Sequence, residues 1–397
     1  MPSCARRHGE EVLESLRKLD EKLDGEKELI QSQRTDAKKR ETNNISAALR
    51  PSPFPPSVCD PTSNRPRTKE IIDPGYPLLE AHRSTIESIK RQTFSYRPTD
   101  LDVYYPPFSD PHVNDSESGG HPILIFFYGG GLTRGARSSS PSYLVYNNLG
   151  AFFARRGITT VIPDYRLVPS ISFPEGSEDV RDALDWVVQN LSEGCRGRVF
   201  VLGHSAGGLH LSGFVFTPSM FPPSRVPPAL GGIMFMGVPF EIHSTKPQFR
   251  EAAKQYYGRS EKVETYQPLS LLRRMDAAYV AALPPVQNLI AESEPRAVSQ
   301  AMRIFTRVFE NKKGSIEERT LAGHDHVSPI LALSSGFGEE WGEEIDDRIR
   351  TSEKVCLEEA ISALGKQFWE DLPTSNSVWF TKQHKGYSSH DLDCRSH

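Results

Sequence analysis

A serine between two glycines, a pair of glutamates before a proline and a pair of histidines are the residues of this chain whose types and spacing suit chemistry. Gly203-His204-Ser205-Ala206-Gly207 lies directly behind the apolar run Val199-Phe200-Val201-Leu202 and directly ahead of Leu209-His210-Leu211. A small-residue turn therefore separates a buried strand from a helix. A turn this tight forces the serine into a strained backbone conformation, and glycine two residues before and after leaves room for it, with Oγ exposed above a sheet. On composition alone, Gly-x-Ser-x-Gly arises in roughly one chain of this length in ten, so its weight comes from the strand and helix that flank it.

Upstream, Pro122-Ile123-Leu124-Ile125-Phe126-Phe127-Tyr128 reads as a fully buried strand that runs into Gly129-Gly130-Gly131. By itself that triplet is only a flexible turn. Beside a nucleophilic serine, its bared N–H groups and that of Ala206 suit the negative charge that an ester or amide carbonyl oxygen develops under attack.

The elements needed to position these groups follow from periodicity. Thr93-Phe94-Ser95-Tyr96 and Leu101-Asp102-Val103-Tyr104-Tyr105 form an opening hairpin. Val180, Ala183, Leu184, Val187, Val188 and Leu191 recur at helical spacing behind Ser177, a suitable N-cap. Ile233-Met234-Phe235-Met236 and Val286-Gln287-Asn288-Leu289-Ile290-Ala291 supply two more strands, and Val298, Ala301, Met302, Phe305, Val308 and Phe309 another helix. Strands alternating with helices predict a doubly wound, mostly parallel α/β sheet.

These residues resemble the α/β-hydrolase fold, and within it the hormone-sensitive-lipase-like carboxylesterases and the arylformamidase (kynurenine formamidase) group. The resemblance runs from Gln92 to Trp369. It is carried by Phe126-Phe127-Tyr128-Gly129-Gly130-Gly131, Pro163-Asp164-Tyr165-Arg166-Leu167-Val168-Pro169, Phe173-Pro174-Glu175-Gly176 leading into Asp179-Val180-Arg181-Asp182-Ala183, and Gly203-His204-Ser205-Ala206-Gly207. Tyr128 stands where that family usually has histidine. The implied fold is a hydrolase domain over residues 71–372 with a small helical cap inserted around 241–283, a segment that contains Phe249, Tyr256, Tyr257 and Tyr266.

In this fold the chain order of a triad is serine, acid, histidine. Glu292-Ser293-Glu294-Pro295 offers two carboxylates of equal strand parity, and spacing does not separate them. The family usually carries Asp at the position before this kind of Pro, so the resemblance assigns the acid to Glu294, with Glu292 as the alternative. Gly323-His324-Asp325-His326-Val327-Ser328-Pro329 holds two imidazoles. The family places its base just before an apolar residue that opens the last helix, which points to His326 and leaves His324 to support the loop. The implied site is Ser205 as nucleophile, His326 as base and Glu294 as acid, with Gly130, Gly131 and Ala206 as the oxyanion hole.

The implied activity is hydrolysis of a small or medium carboxylic ester through an acyl-enzyme, with no cofactor and no metal. An arylformamidase-type amide hydrolase is the nearest alternative, because Gly203 to Leu211 and Gln267-Pro268-Leu269-Ser270-Leu271-Leu272 resemble that group. A non-catalytic ligand-binding protein on the same scaffold is the third. His204 and His210 read as supporting or core groups, Asp164 and Arg166 as an ion pair that shapes the loops, and Asp179, Arg181 and Asp182 as a solvated helix face.

Composition bounds the rest. A formal net charge of −4 over 397 residues, with both signs interspersed, gives no basic face for nucleic acid. Cys4, Cys59, Cys195, Cys356 and Cys394 are odd in number and widely spaced, which predicts reduced thiols. Arg6, Arg7, His8 and Glu10 interrupt any apolar leader, and no run approaches a membrane span, so a cytoplasmic monomer or dimer is expected. Asn44-Ile45-Ser46, Asn114-Asp115-Ser116 and Asn190-Leu191-Ser192 then match the glycosylation triplet by accident. Residues 1–70 read as a charged, Pro-rich, disordered extension in which Val12, Leu16, Leu19 and Leu23 make two heptads, and 373–397 as a polar tail.

Overall fold

The computed structural model describes residues 68–352 except 98, 108–120, 192–198, 222–229 and 244, with side chains from Gly75 onward. Most of the N-terminal extension, the C-terminal tail, all five cysteines, and all or part of each Asn-x-Ser triplet lie outside the described residues.

Two helices, α1 (Thr68–Ala81) and α2 (Arg83–Glu87), precede the hairpin of β1 (Arg91–Tyr96) and β2 (Thr99–Tyr104). Then follow β3 (Ile123–Phe127), α3 (Asn147–Ala154), β4 (Thr159–Pro163), α4 (Glu175–Leu191), β5 (Val199–His204), α5 (Ala206–Val215) and β6 (Leu230–Met236). Four short helices come next: α6 (Pro247–Tyr257), α7 (Ser260–Tyr266), α8 (Pro268–Arg274) and α9 (Ala277–Ala281). The chain continues through β7 (Val286–Ser293), α10 (Arg296–Asn311), β8 (Ile316–Asp325), α11 (Ser328–Ala332) and a helix α12 over 340–352.

The eight strands form one sheet in the order β1-β2-β4-β3-β5-β6-β7-β8. β2 is antiparallel to both its neighbours, and every other pairing is parallel. β3, β4 and β5 are buried along their whole length, as strands covered by helices on both faces must be. In register, Phe127 of β3 faces Gly203 of β5, and His204 faces Met236 of β6. The serine turn thus emerges at the carboxyl end of the central strand, flanked by the loop after β3 and the turn after β6. That edge is where ligands bind in open α/β sheets.

Helix α10 shows the packing that holds this frame. Val298, Ala301, Met302, Phe305 and Phe309 form its buried stripe, and the Phe305 ring stacks on Phe240 at 3.9 Å with the planes 8° apart. Truncating such a ring to alanine costs about 3–5 kcal/mol.

Three local expectations are corrected. Helix α4 starts at Glu175, so Ser177 is not its N-cap: its hydroxyl is buried against α5, where a side-chain carbon on Gly213 would come within 2.2 Å of Ser177 Oγ. Asp164 and Arg166 do not pair with each other. Asp164 bonds to Arg137, while Arg166 reaches α4, with Nη2 2.7 Å from Asp179 Oδ1 and Nη1 3.3 Å from Glu175 Oε1. Asp179 is therefore no solvated residue: it is fully buried, and it also accepts from the Arg166 backbone N–H at 2.9 Å. A buried carboxylate needs such a partner, since removing one from a buried pair costs about 3–5 kcal/mol.

Candidate active site

Ser205 has φ +51° and ψ −117°, a conformation that costs an L-residue about 1–3 kcal/mol and persists only where the surroundings enforce it. Two features enforce it. The Ser205 N–H donates to the Met236 carbonyl at 2.9 Å, and the chain at Gly207 runs so close to β3 that a side-chain carbon there would lie 2.3 Å from the Phe127 carbonyl oxygen. The peptide of Ala206 opens α5, where unsatisfied N–H groups and the helix dipole favour negative charge.

His326 joins the serine to a carboxylate. Its Nε2 is 3.0 Å from Ser205 Oγ and its Nδ1 2.5 Å from Glu294 Oε1. The carboxylate only accepts, so Nδ1 carries the proton and Nε2 is free to take the serine hydroxyl's proton. The Glu294 side chain is 1% exposed and that of His326 28%. Burial pushes the imidazole's pKa down, but the charge of Glu294 and the hydrogen bond to it outweigh burial, and the net shift is upward.

The alternatives are turned elsewhere. Glu292 is exposed, and its Oε2 accepts from the Gly323 N–H at 2.7 Å, tying the ends of β7 and β8 together. His324 accepts from Ser328 Oγ through Nδ1 at 3.1 Å and donates from Nε2 to the Gly338 carbonyl at 3.0 Å; its burial lowers its pKa. Asp325 Oδ1 takes the N–H groups of Val327 and Ser328, both at 2.9 Å, and so caps α11.

Gly130 and Gly131 lie on the loop after β3, with Gly131 at φ +65° and open space where a side chain would stand. Tyr128 pins this loop. Its hydroxyl donates to Asp164 Oδ1 at 2.8 Å, and its carbonyl accepts from Tyr165 Oη at 2.6 Å. The Tyr128 and Tyr165 rings stack at 4.7 Å. At the far end of the loop, the Arg137 N–H donates to the same Asp164 oxygen at 2.7 Å, and the Arg137 guanidinium pairs with both Asp164 and Asp102. Sequence reading missed Arg137 and gave Asp164 the wrong partner. The available signal was Tyr128 itself, a hydroxyl in a buried strand that needs an acceptor.

Helices α6 and α7 pack over the start of α5, whereas Tyr279 of α9 donates to the Val215 carbonyl at the far end of that helix. Tyr256, Tyr257 and Ile242 form one buried cluster with Leu132, Ala206 and Leu209, and Phe173 stacks on Tyr266 at 4.9 Å against it. His210 Nδ1 meets Tyr256 Oη at 3.1 Å. Among the described residues there is no cluster of three or more His, Cys, Asp or Glu that could hold a metal, and no helix long and apolar enough to cross a membrane.

Similarity to known proteins agrees with this frame. The alpha/beta hydrolase fold family matches residues 124–327. A Mycobacterium tuberculosis carboxylesterase, NlhH, is 33% identical over 108 residues, which are 27% of this chain and 30% of that protein. Tuliposide A-converting enzyme 1 of Tulipa gesneriana is 31% identical over 108 residues, 25% of this chain and 27% of its own. The matches thus span about a third or less of those relatives. Among solved structures, a fungal esterase from Rhizomucor miehei superposes with a TM-score of 0.54 at 17% identity, covering 70% of this chain and 92% of its own. The Pyrobaculum calidifontis esterase gives 0.54 at 18%, covering 71% and 92%. With half the chain inside the family match and the sheet order to go with it, the protein belongs to the alpha/beta hydrolase fold family.

Proposed function

We propose that this protein is a serine hydrolase that cleaves a carboxylic ester of a small or medium substrate. The observation that carries the reading is the unbroken relay from Ser205 Oγ through His326 to Glu294, at 3.0 and 2.5 Å. Ser205 Oγ attacks the ester carbonyl carbon while His326 Nε2 takes its proton, and Glu294 stabilises the imidazolium. The N–H groups of Gly130, Gly131 and Ala206 receive the oxyanion. The tetrahedral adduct expels the alcohol, protonated by His326, and water activated by the same base releases the acid. Helices α6–α9 act as the cap that selects the substrate.

The carboxylesterase name of the mycobacterial relative supports ester chemistry. The arylformamidase reading rests on the stretch Gly203 to Leu211, with His204 inside the serine turn. Turnover of p-nitrophenyl esters from acetate to decanoate, set against N-formylkynurenine, tests both. Higher kcat/KM on an ester, abolished in Ser205→Ala, is the expected result; faster turnover of the formamide moves the protein to the second reading, and no turnover of either removes both.

A further inference from the structure

His204 is buried, 5% exposed. Its Nε2 lies 2.8 Å from the backbone carbonyl oxygen of His326. A carbonyl only accepts, so Nε2 carries the proton and Nδ1 is a bare lone pair. That Nδ1 is buried without a hydrogen-bond partner, and it points at the first glycine of the loop after β3: a side-chain carbon on Gly129 would stand 2.8 Å from His204 Nδ1 and 3.0 Å from Ser205 Cβ. The His204 and His326 rings are 5.1 Å apart. One ring therefore touches three things at once: the strand end that bears Ser205, the root of the glycine loop, and the peptide of the base.

The geometry points to His204 as a positioning residue, which sets the reach of His326 by donating to its main-chain carbonyl and thereby docking the base-bearing loop onto the nucleophile strand. An apolar ring of the same size would fill the space but leave that carbonyl without its donor. Burial, together with the nearby His326, drives the His204 pKa down to about 3, so the donating tautomer is neutral and constant across the working pH range. The residue acts through His326 and touches no reacting atom. The inference rests on the proposed relay and deepens it.

The test compares the parent with His204→Phe and His204→Gln, reading kcat and KM on p-nitrophenyl acetate, thermal midpoint, and the downfield proton resonance of His326 Nδ1–H held by Glu294. Small displacement of a catalytic group costs about 10²-fold, so His204→Phe is expected to lose about that in kcat with KM little changed, and to shift or lose the resonance. In His204→Gln the amide N–H reaches the old Nε2 position, and both readouts return toward the parent. A His204→Phe variant that keeps kcat and the resonance overturns the role. If that variant does not fold, His204→Gln decides: near-parental kcat and resonance support the donation, and loss of both in a folded protein overturns it. A parent that hydrolyses no ester but shows the resonance, with its loss in Phe and return in Gln, removes the ester reading and leaves the positioning role standing.

Discussion

Tyr128 and Arg137, nine positions apart along the chain, both donate to a single oxygen, Asp164 Oδ1, at 2.8 and 2.7 Å. The loop carrying Gly130 and Gly131 is therefore closed at both ends by one carboxylate, Asp164, just past the end of the neighbouring strand β4. A hydrogen bond to a charged group is worth about 1.5–3 kcal/mol. Tyr128→Phe is expected to lose that much stability by urea unfolding and to lower kcat more than it changes KM, since the loosened N–H groups matter most where charge develops. An unchanged kcat would detach the loop from the chemistry.

Removing one member of a unit that acts together costs nearly as much as removing all of it. Ser205→Ala and His326→Ala are each expected to lower kcat by about 10⁴-fold or more, with fluorophosphonate labelling lost in the first. Because an amide at Glu294 cannot hold the Nδ1–H tautomer, Glu294→Gln is expected to lose about 10⁴-fold as well. His324→Ala and Glu292→Gln, whose bonds reach neither Ser205 nor His326, should cost about tenfold or less. A larger loss at His324 than at His326, or at Glu292 than at Glu294, would reassign that member.

The direction of the His326 shift sets the acid limb of the pH profile. The base works as neutral imidazole, so activity falls as pH drops through its pKa, and that pKa is raised in the fold. The limb of kcat/KM is therefore expected above the ordinary histidine value of about 6.5. In Glu294→Gln the raising charge is gone while burial remains, and the limb of the residual activity should move to lower pH. Movement the other way would remove Glu294 as the partner.

His204 and His210 are both buried, and burial above all holds their pKa values down at about 3. Unfolded, each binds a proton near the ordinary value of about 6.5, so below that pH the unfolded chain carries more protons than the folded one. The stability they contribute is complete above that value and declines as pH falls toward 3, by up to about 1.4 kcal/mol per pH unit for each group. Urea midpoints measured between pH 7 and pH 4 should fall accordingly, and His210→Asn should flatten the slope.

Gly237 stands at φ +56°, and a side-chain carbon on it would lie 2.9 Å from His326 Nδ1 and 3.1 Å from Glu294 Oε2. Gly237→Ala is expected to wedge the pair apart, lowering kcat by about 10²-fold and moving the acid limb in the same direction as Glu294→Gln. A variant with parental kcat and pH profile would show that the pair tolerates the wedge.

The serine turn was legible because everything that makes it is local: a buried strand, glycines at fixed offsets, a helix behind. The choice of His326 over His324 came from the resemblance and not from the residues themselves, since both sit near the end of one strand and share its parity; in the structure Asp325 caps α11 between them, with one ring turned to Gly338 and the other across to Ser205. β8 escaped notice because it is an edge strand, with Glu318, Arg319 and Thr320 exposed, and charge on an edge blunts unwanted pairing while erasing the apolar signal. Asp164 was paired with the wrong arginine because sequence proximity suggested Arg166. The sheet order instead sets the end of β4 beside β3, and the loop that leaves β3 brings Arg137 to it.

The four helices α6–α9 leave the sheet after β6 and return to it at β7, two strands that are hydrogen-bonded neighbours. Because the two strands are parallel, the insertion leaves at the carboxyl end of β6 and returns at the amino end of β7, where Val286 lies beside Ile233. Its ends are held about 10 Å apart along the strands, and the entropy of closing a loop between fixed ends grows only slowly with its length. Ser205, Glu294 and His326 all stand on strand ends outside the excursion. On the proposed role of α6–α9 as the cap, replacing residues 241–283 with a segment of different length or composition would exchange what the chemistry acts upon while Ser205, Glu294 and His326 stay on the sheet that carries them, which makes this stretch the natural place for libraries, grafts and divergence.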